Sequence, residues 1–302
     1  MPVPTHPPTV APARSFLYVP GDKPEMLAKA TQRGADAVII DLEDAVAHSA
    51  KSLAREAVAS WLARQTDHAG AVWVRVNPQL DLLEDDLAAA LHPTLTGVYL
   101  PKVSSTDEID FVATQLDAFE AVARMPEGTL RIAPLLETAA GILAAQQIAA
   151  SPRVSHMSIG ETDLAAELGM RPSPGGEELN PIRMAIVLAS AAAGINPPVG
   201  PVDTAFRDLE GLRTTSEGLR RMGYGGRAAI HPDQIPIIHA AFSSTPDEVA
   251  AARDVVDRFE TAQRDGAAVT VAGDGSLIDE AVVRNARRTL ISHNPPQTEG
   301  ES

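Results

Sequence analysis

Eight short runs rich in Val, Ile and Leu recur along this chain, and most are separated by a longer helical pattern. They are Phe16–Pro20, Ala37–Asp44, Val72–Val76, Gly97–Val103, Arg131–Glu137, Val154–Gly160, Asn196–Val202 and Gly226–Pro232. The intervening segments Lys23–Arg33, Ala47–Gln65, Asp81–Leu91, Asp107–Val122, Leu179–Ala193 and Asp208–Met222 are rich in Ala, Leu, Glu and Arg, which favour helix. A strand that is apolar throughout must be covered on both faces. Strict strand–helix alternation therefore gives parallel strands with helices outside them. Eight such units in about 220 residues fit a closed α/β barrel, the TIM (β/α)8 fold, better than an open doubly wound sheet. No G-x-G-x-x-G follows the first strand, which argues against dinucleotide binding.

Two more helical patterns, about Pro246–Asp265 and Asp279–Ser292, follow the eighth strand, with a Gly-rich stretch between them that reads as a small hairpin. The barrel does not require this segment. The expected organisation is a tail over residues 1–13, a barrel over 14–240, a C-terminal lobe over 241–292 that covers a site or reaches a neighbouring subunit, and a second tail over 293–302. The two tails are Pro-rich or polar and hold no apolar run, so they fit neither a secretory signal nor a membrane span. A cytoplasmic location is the expectation. The absence of cysteine excludes thiol nucleophiles, thiolate metal sites and disulfides. A net charge of −15 argues against nucleic acid as a partner, because a polyanion needs clustered Lys and Arg.

In a parallel barrel the chemistry lies at the C-terminal ends of the strands. Those ends are acidic here: Asp41, Glu43 and Asp44 close the second run, Glu137 the fifth, and Glu161 and Asp163 follow the sixth. Arg75 and Asn77 close the third run, Lys102 the fourth and His231 the eighth. Carboxylates converging on one mouth repel one another unless a cation lies among them, and Mg2+, which takes one or two carboxylates and keeps open positions, suits Glu137 with Asp163. Plainer readings compete with these. Asp44, Asp163 and Glu137 stand where helix caps or first-turn acids stand, Glu161 reads as a solvated helix-start acid, and His231 as a turn residue. Arg75 sits in an apolar strand, where a charge needs a partner, so its plain reading is a structural ion pair.

The run RSFLYVPGDKPEMLAKATQRGADAVIIDLEDAV (Arg14–Val46), followed in order by VRVNP, LPKV, LLETAAGI, SIGETDLAAELGM and RAAIHPDQI, resembles the citrate lyase beta-subunit-like branch of the HpcH/HpaI aldolase superfamily. The likeness spans about Arg14 to Leu290. It implies a barrel that makes or breaks β-hydroxyacyl thioesters, with Glu137 and Asp163 ligating Mg2+ and Arg75 holding the carboxylate of an α-keto acid. It further implies Asp44 close to the metal, behind its ligands or linked through water, and Arg14 and Lys23 as candidates for the phosphates of coenzyme A or a carrier arm. The SLIDEA stretch matches a family motif whose aspartate, here Asp279, serves a neighbouring subunit as acid or base. Leu277 and Ala281 depart from that motif, and Glu161 stands where relatives carry a small residue.

The expected activity is that of a carbon–carbon lyase, releasing or joining an acyl-CoA and an α-keto acid, in a homotrimer or hexamer without membrane or nucleic acid partners. The alternatives are the beta subunit of a citrate lyase complex acting on an acyl carrier protein, and a class II aldolase acting on a free hydroxy-keto acid. A non-catalytic scaffold would have lost Glu137, Asp163 or Arg75, and all three are present.

Overall fold

The computed structural model describes residues 13–65 and 70–293. Both tails expected from composition fall outside these residues, apart from Ala13 and His293. Eight parallel strands close a barrel in sequence order: β1 Ser15–Pro20, β2 Ala37–Asp41, β3 Ala71–Arg75, β4 Gly97–Leu100, β5 Arg131–Leu136, β6 Ser158–Ile159, β7 Val199–Gly200 and β8 Gly226–Ala229. The closing pair is β1 with β8, in the register Phe16 to Ala228. This is the TIM (β/α)8 barrel that the apolar runs imply.

Alternate residues of each strand face opposite sides of the sheet, and both sides are apolar here. Val38, Ile40, Val72, Val74, Val98 and Ile132 pack outward against the helices. Phe16, Ala37, Ile39, Trp73, Tyr99, Ala133, Val199 and Ala228 fill the interior. Large and small side chains alternate around the ring, so the barrel is a packed core and not a pore. Four rings cluster in it: the His156 centroid lies 5.1 Å from that of Trp73 and 5.5 Å from Tyr99, both edge to face, and 5.2 Å from the tilted ring of Phe16. His156 Nε2 lies 2.7 Å from the Tyr99 hydroxyl, and burial lowers the imidazole pKa to about 3. A neutral histidine at the core of the barrel is therefore structural. Gly97 is required where β4 meets β5, because a Cβ there would stand 2.0 Å from the Arg131 carbonyl oxygen.

Three regions differ from the sequence pattern. The helix expected over Lys23–Arg33 is two pieces, Pro24–Leu27 and a 3-10 turn at Ala30–Gln32. The chain leaves helical dihedrals at Lys29 (φ −112°, ψ 1°), which lets both Leu27 and Ala30 reach the core. The sixth and seventh runs form only two-residue strands. Helices at Ala139–Leu143, Ala145–Ala150, Glu161–Glu167 and Ile235–Phe242 complete the outer layer.

By its contacts the chain divides into two compact units, one up to Phe242 and one from Ser243. In the second, helices Pro246–Arg264 and Glu280–His293 pack with a hairpin in which Thr270–Val271 pairs antiparallel with Leu277–Ile278. Phe259, Ile278 and Val283 form its core. A capping box at Thr245, which accepts from the Glu248 N–H, starts the first of these helices. No helix among the described residues is long and apolar enough to cross a membrane.

Candidate active site at the barrel mouth

Strand parity builds the site. On β2 the inward positions run from Ile39 to Asp41, and on β3 from Trp73 to Arg75. Continuing the alternation on β5 from Ala133 leads to Glu137, and on β1 from Phe16 to Tyr18. Apolar pairs thus fill the barrel, and polar groups follow one step further along, at the C-terminal rim.

Arg75 is the electrostatic centre of one half of the mouth. Its Nε and Nη2 donate to the two oxygens of Asp41 at 2.8 and 2.6 Å, a planar fork matched to a carboxylate. Nη1 lies 3.1 Å from Glu43 Oε2 and donates to Asp44 Oδ2 at 3.4 Å. The guanidinium carbon stands 4.9 Å from the ring centre of Tyr18. A guanidinium has five N–H donors, so this arrangement leaves part of the fork open to a further oxygen. The loop that supplies these acids is fixed from below: the buried Lys51 ammonium donates to the carbonyls of Leu42 and Glu43, both at 2.8 Å, and Asn77 Nδ2 donates to Leu42 O at 2.9 Å. Asp86, fully buried, holds Asn77 and is itself held by Arg55.

Glu137 anchors the other half. The Lys102 backbone N–H donates to its Oε1 at 3.0 Å, while Lys102 Nζ donates to Glu43 Oε1 at 2.7 Å. Lys102 achieves both with a left-handed backbone (φ 58°), a conformation that costs an L-residue about 1 kcal/mol or more. Burial, with the carboxylates of Asp163 and Glu43 nearby and a hydrogen bond shared with Asp163, raises the Glu137 pKa to about 8. Asp163 reaches this position because Gly160 ends β6 and the helix Glu161–Glu167 begins at once, setting Asp163 in its first turn. Burial also raises Glu43, against the pull of Arg75 and Lys102, and its Oε2 accepts no hydrogen bond.

This donor chemistry fits a hard divalent cation. The oxygens of Glu137 and Asp163 adjoin, and the charge they share is unfavourable without a counter-ion; Glu43, nearby, is already paired with Arg75 and Lys102. No group of three or more His, Cys, Asp or Glu among the described residues is arranged to hold a metal alone. Magnesium does not need such a cage, since it keeps several waters and takes one or two carboxylates.

The other expected residues are dispersed. Arg14 precedes β1, at the opposite end of the barrel, and its guanidinium and backbone N–H grip Asp36. Lys23 is exposed in the turn after β1, on the mouth side, and pairs with Asp22 at 3.1 Å. Asp44 is exposed and touches Arg75. Asp279 caps the last helix, its Oδ1 accepting from the N–H groups of Ala281 and Val282. Glu161 is not a solvated acid; Arg183 grips both its oxygens at 2.6 and 2.7 Å. His231 caps a turn, as the plain reading has it, and also stacks on Phe206 at 5.4 Å. Those two rings, with Arg207, Leu209 and Asp233, line an open cavity of about 330 Å³.

Sequence reasoning put weight on Asp44, whereas Asp41 and Glu43 are the buried acids of that run. The signal was available: Asp41 and Glu43 share the parity of Ile39, and Asp44 does not. The double engagement of Lys102 left no such trace, because it depends on a left-handed backbone.

A closed (β/α)8 barrel with an arginine and adjoining carboxylates at its C-terminal mouth places the chain in the barrel class. The chain belongs to the HpcH/HpaI aldolase/citrate lyase family, whose pattern matches residues 14–232. It is 39% identical over 282 residues to a (3S)-malyl-CoA thioesterase of Cereibacter sphaeroides, covering 92% of this chain and 94% of that protein. It is 36% identical to a citrate lyase subunit beta-like protein of Deinococcus radiodurans, covering 93% and 96%. Among solved structures, CitE of Mycobacterium tuberculosis in complex with magnesium, acetoacetate and coenzyme A matches with a TM-score of 0.73 and 30% identity, over 95% of this chain and 99% of that one.

Proposed function

We infer that this protein is a Mg2+-dependent carbon–carbon lyase that cleaves or forms a β-hydroxyacyl-CoA thioester, with an acyl-CoA and an α-keto acid as the other partners. The observation that carries the reading is the adjoining pair Glu137 and Asp163 at the same barrel mouth as Arg75. The CitE complex with magnesium and coenzyme A, and the malyl-CoA relatives, support it.

Glu137 and Asp163 would hold the ion, which supplies Lewis acidity for the substrate's hydroxyl and keto oxygens. Arg75, kept in place by Asp41, offers its remaining N–H donors to the carboxylate of the keto acid. Lys102 fixes the rotamer of Glu137 and balances the charge of Glu43. Retro-aldol cleavage takes a proton from the β-hydroxyl and returns one to the acyl-CoA carbon. Asp279 of a neighbouring copy, in a homotrimer or hexamer, is assigned that proton transfer, with Asp44 at the rim beside Arg75. Lys23 and the Phe206–His231 cavity are assigned to the nucleotide end of the thioester, where a stacked ring and a cation suit adenine and phosphate.

The name of the Cereibacter relatives adds a second reading, hydrolysis of the thioester to the free hydroxy acid. No thiol exists here, and the Ser15, His239 and Asp36 cluster lies at the opposite end. Ser15 is fully buried, and its hydroxyl and Asp36 both approach the same His239 nitrogen, at 2.7 and 3.3 Å, so no nucleophile relay is formed. Incubating malyl-CoA and citramalyl-CoA with enzyme and Mg2+ and identifying products by mass separates the two. The lyase reading expects acetyl-CoA with glyoxylate or pyruvate. Free CoA with the intact hydroxy acid supports hydrolysis, and no turnover of any short β-hydroxyacyl-CoA contradicts both.

A further inference from the structure

Tyr18 occupies the inward position of β1 one step above Phe16, which brings its ring beneath the Arg75 guanidinium at 4.9 Å. Burial, more than any single neighbour, keeps the phenol protonated; the charges of Asp41, Glu137 and Glu43 act in the same direction and that of Arg75 opposes them. The side chain is thus close enough to feel acids from both halves of the mouth. Among the described residues no hydrogen bond reaches its hydroxyl, and the hydroxyl is not sealed from solvent.

The charged groups around it are engaged. Arg75 grips Asp41, Lys102 holds Glu43, and Glu137 accepts from the Lys102 backbone. A half-buried phenol with its donor unused, in the middle of an otherwise committed polar cluster, is unlike the buried tyrosine of the same barrel. Tyr99 pairs its hydroxyl with His156. The Tyr18 hydroxyl, open to solvent beside Arg75, is free to give its donor to a bound molecule in place of water.

We propose that Tyr18 is a substrate-contacting residue whose hydroxyl donates a hydrogen bond to the carboxylate of the α-keto acid held by Arg75. This rests on the reading of Arg75 given above. The phenol is a neutral donor, so it adds directionality without adding charge to a mouth already balanced between acids and bases. A ligand lacking that oxygen would leave the donor unpaired, which makes Tyr18 a determinant of specificity.

The test uses the full-length protein and the variant Tyr18→Phe, which keeps the ring and its contact with Arg75 and removes one oxygen. Calorimetry would measure Mg2+ binding alone, then pyruvate, glyoxylate and oxaloacetate binding to the Mg2+-loaded protein, with melting temperature as a control. The expected result is keto-acid affinity weaker by about ten- to a hundred-fold, as for one hydrogen bond to a charged group, with Mg2+ affinity and melting temperature unchanged. Equal keto-acid affinity in the two proteins overturns the assignment of Tyr18 and leaves the function standing. A lowered melting temperature with lost Mg2+ binding shows a packing residue and overturns it too. A wild-type protein that binds Mg2+ but none of the three keto acids overturns both this inference and the functional reading.

Discussion

The Glu137 carboxylate occupies the space a side chain on Gly160 would need: a Cβ built on Gly160 stands 2.4 Å from Glu137 Oε2 and 2.7 Å from its Cβ. Gly160 has a backbone open to any residue (φ −103°, ψ 83°), so its glycine is required by this contact and not by its dihedrals. The same residue hands the chain from β6 to the helix that bears Asp163.

Gly160→Ala is therefore expected to displace Glu137 with little strain in the backbone. A shift of about 1 Å in a ligand costs about a hundredfold in rate. Steady-state kinetics on the CoA ester that proves to be the substrate, read beside a melting curve, checks it: turnover falls far more than stability.

The raised pKa of Glu137 makes stability depend on pH when no divalent cation is present. Its value rises from 4.5 in the unfolded chain to about 8 in the folded one, so the folded state binds the proton more tightly. That contribution is complete below about 4.5 and is lost as pH rises through about 8. Metal-free protein should lose stability across this window, and Glu137→Gln should flatten the slope. Added Mg2+ should restore the wild type at the alkaline end and leave the variant unchanged. Denaturant titrations at several pH values provide the measurement.

Arg75→Lys keeps the charge and loses the fork. Asp41, almost wholly buried, then takes one bond from residue 75 in place of two and keeps those from the Glu43 and Ala45 N–H groups. The expected cost is about 1–3 kcal/mol of stability, with a loss of activity much larger than the charge-conserving change suggests. Chemical denaturation and kinetics on the same preparation test both.

Lys102→Gly and Lys102→Ala separate backbone strain from the ammonium. Both lose the bond to Glu43, and only glycine accepts φ 58° freely. The glycine variant should be more stable than the alanine variant by about 1 kcal/mol, while both lose activity to the same extent. Equal stability of the two would remove strain from the account.

The barrel was legible because its strands are buried on both faces and so read as continuous apolar runs; Val38 to Ile40 and Val72 to Val74 are examples. Glu137, Asp163 and Arg75 were legible because strand ends and helix starts hold their position in the chain. The pairing of Arg14 with Asp36 was not legible, since a motif places a residue next to a strand but does not name its partner. The pairing of Glu161 has no local pattern in the sequence, because Arg183 lies 22 residues away. Tyr18 escaped notice inside an apolar run. Only the three-dimensional parity of β1, with Arg75 above the ring, separates it from a core aromatic.

The central claim is that Glu137 and Asp163 grip one hard cation at the barrel mouth. Crystals soaked in manganese and measured at the manganese absorption edge test it most directly. The account predicts one strong anomalous peak bonded to carboxylate oxygens of both residues, absent in Glu137→Gln. No peak there, or a peak that persists in that variant, would contradict it.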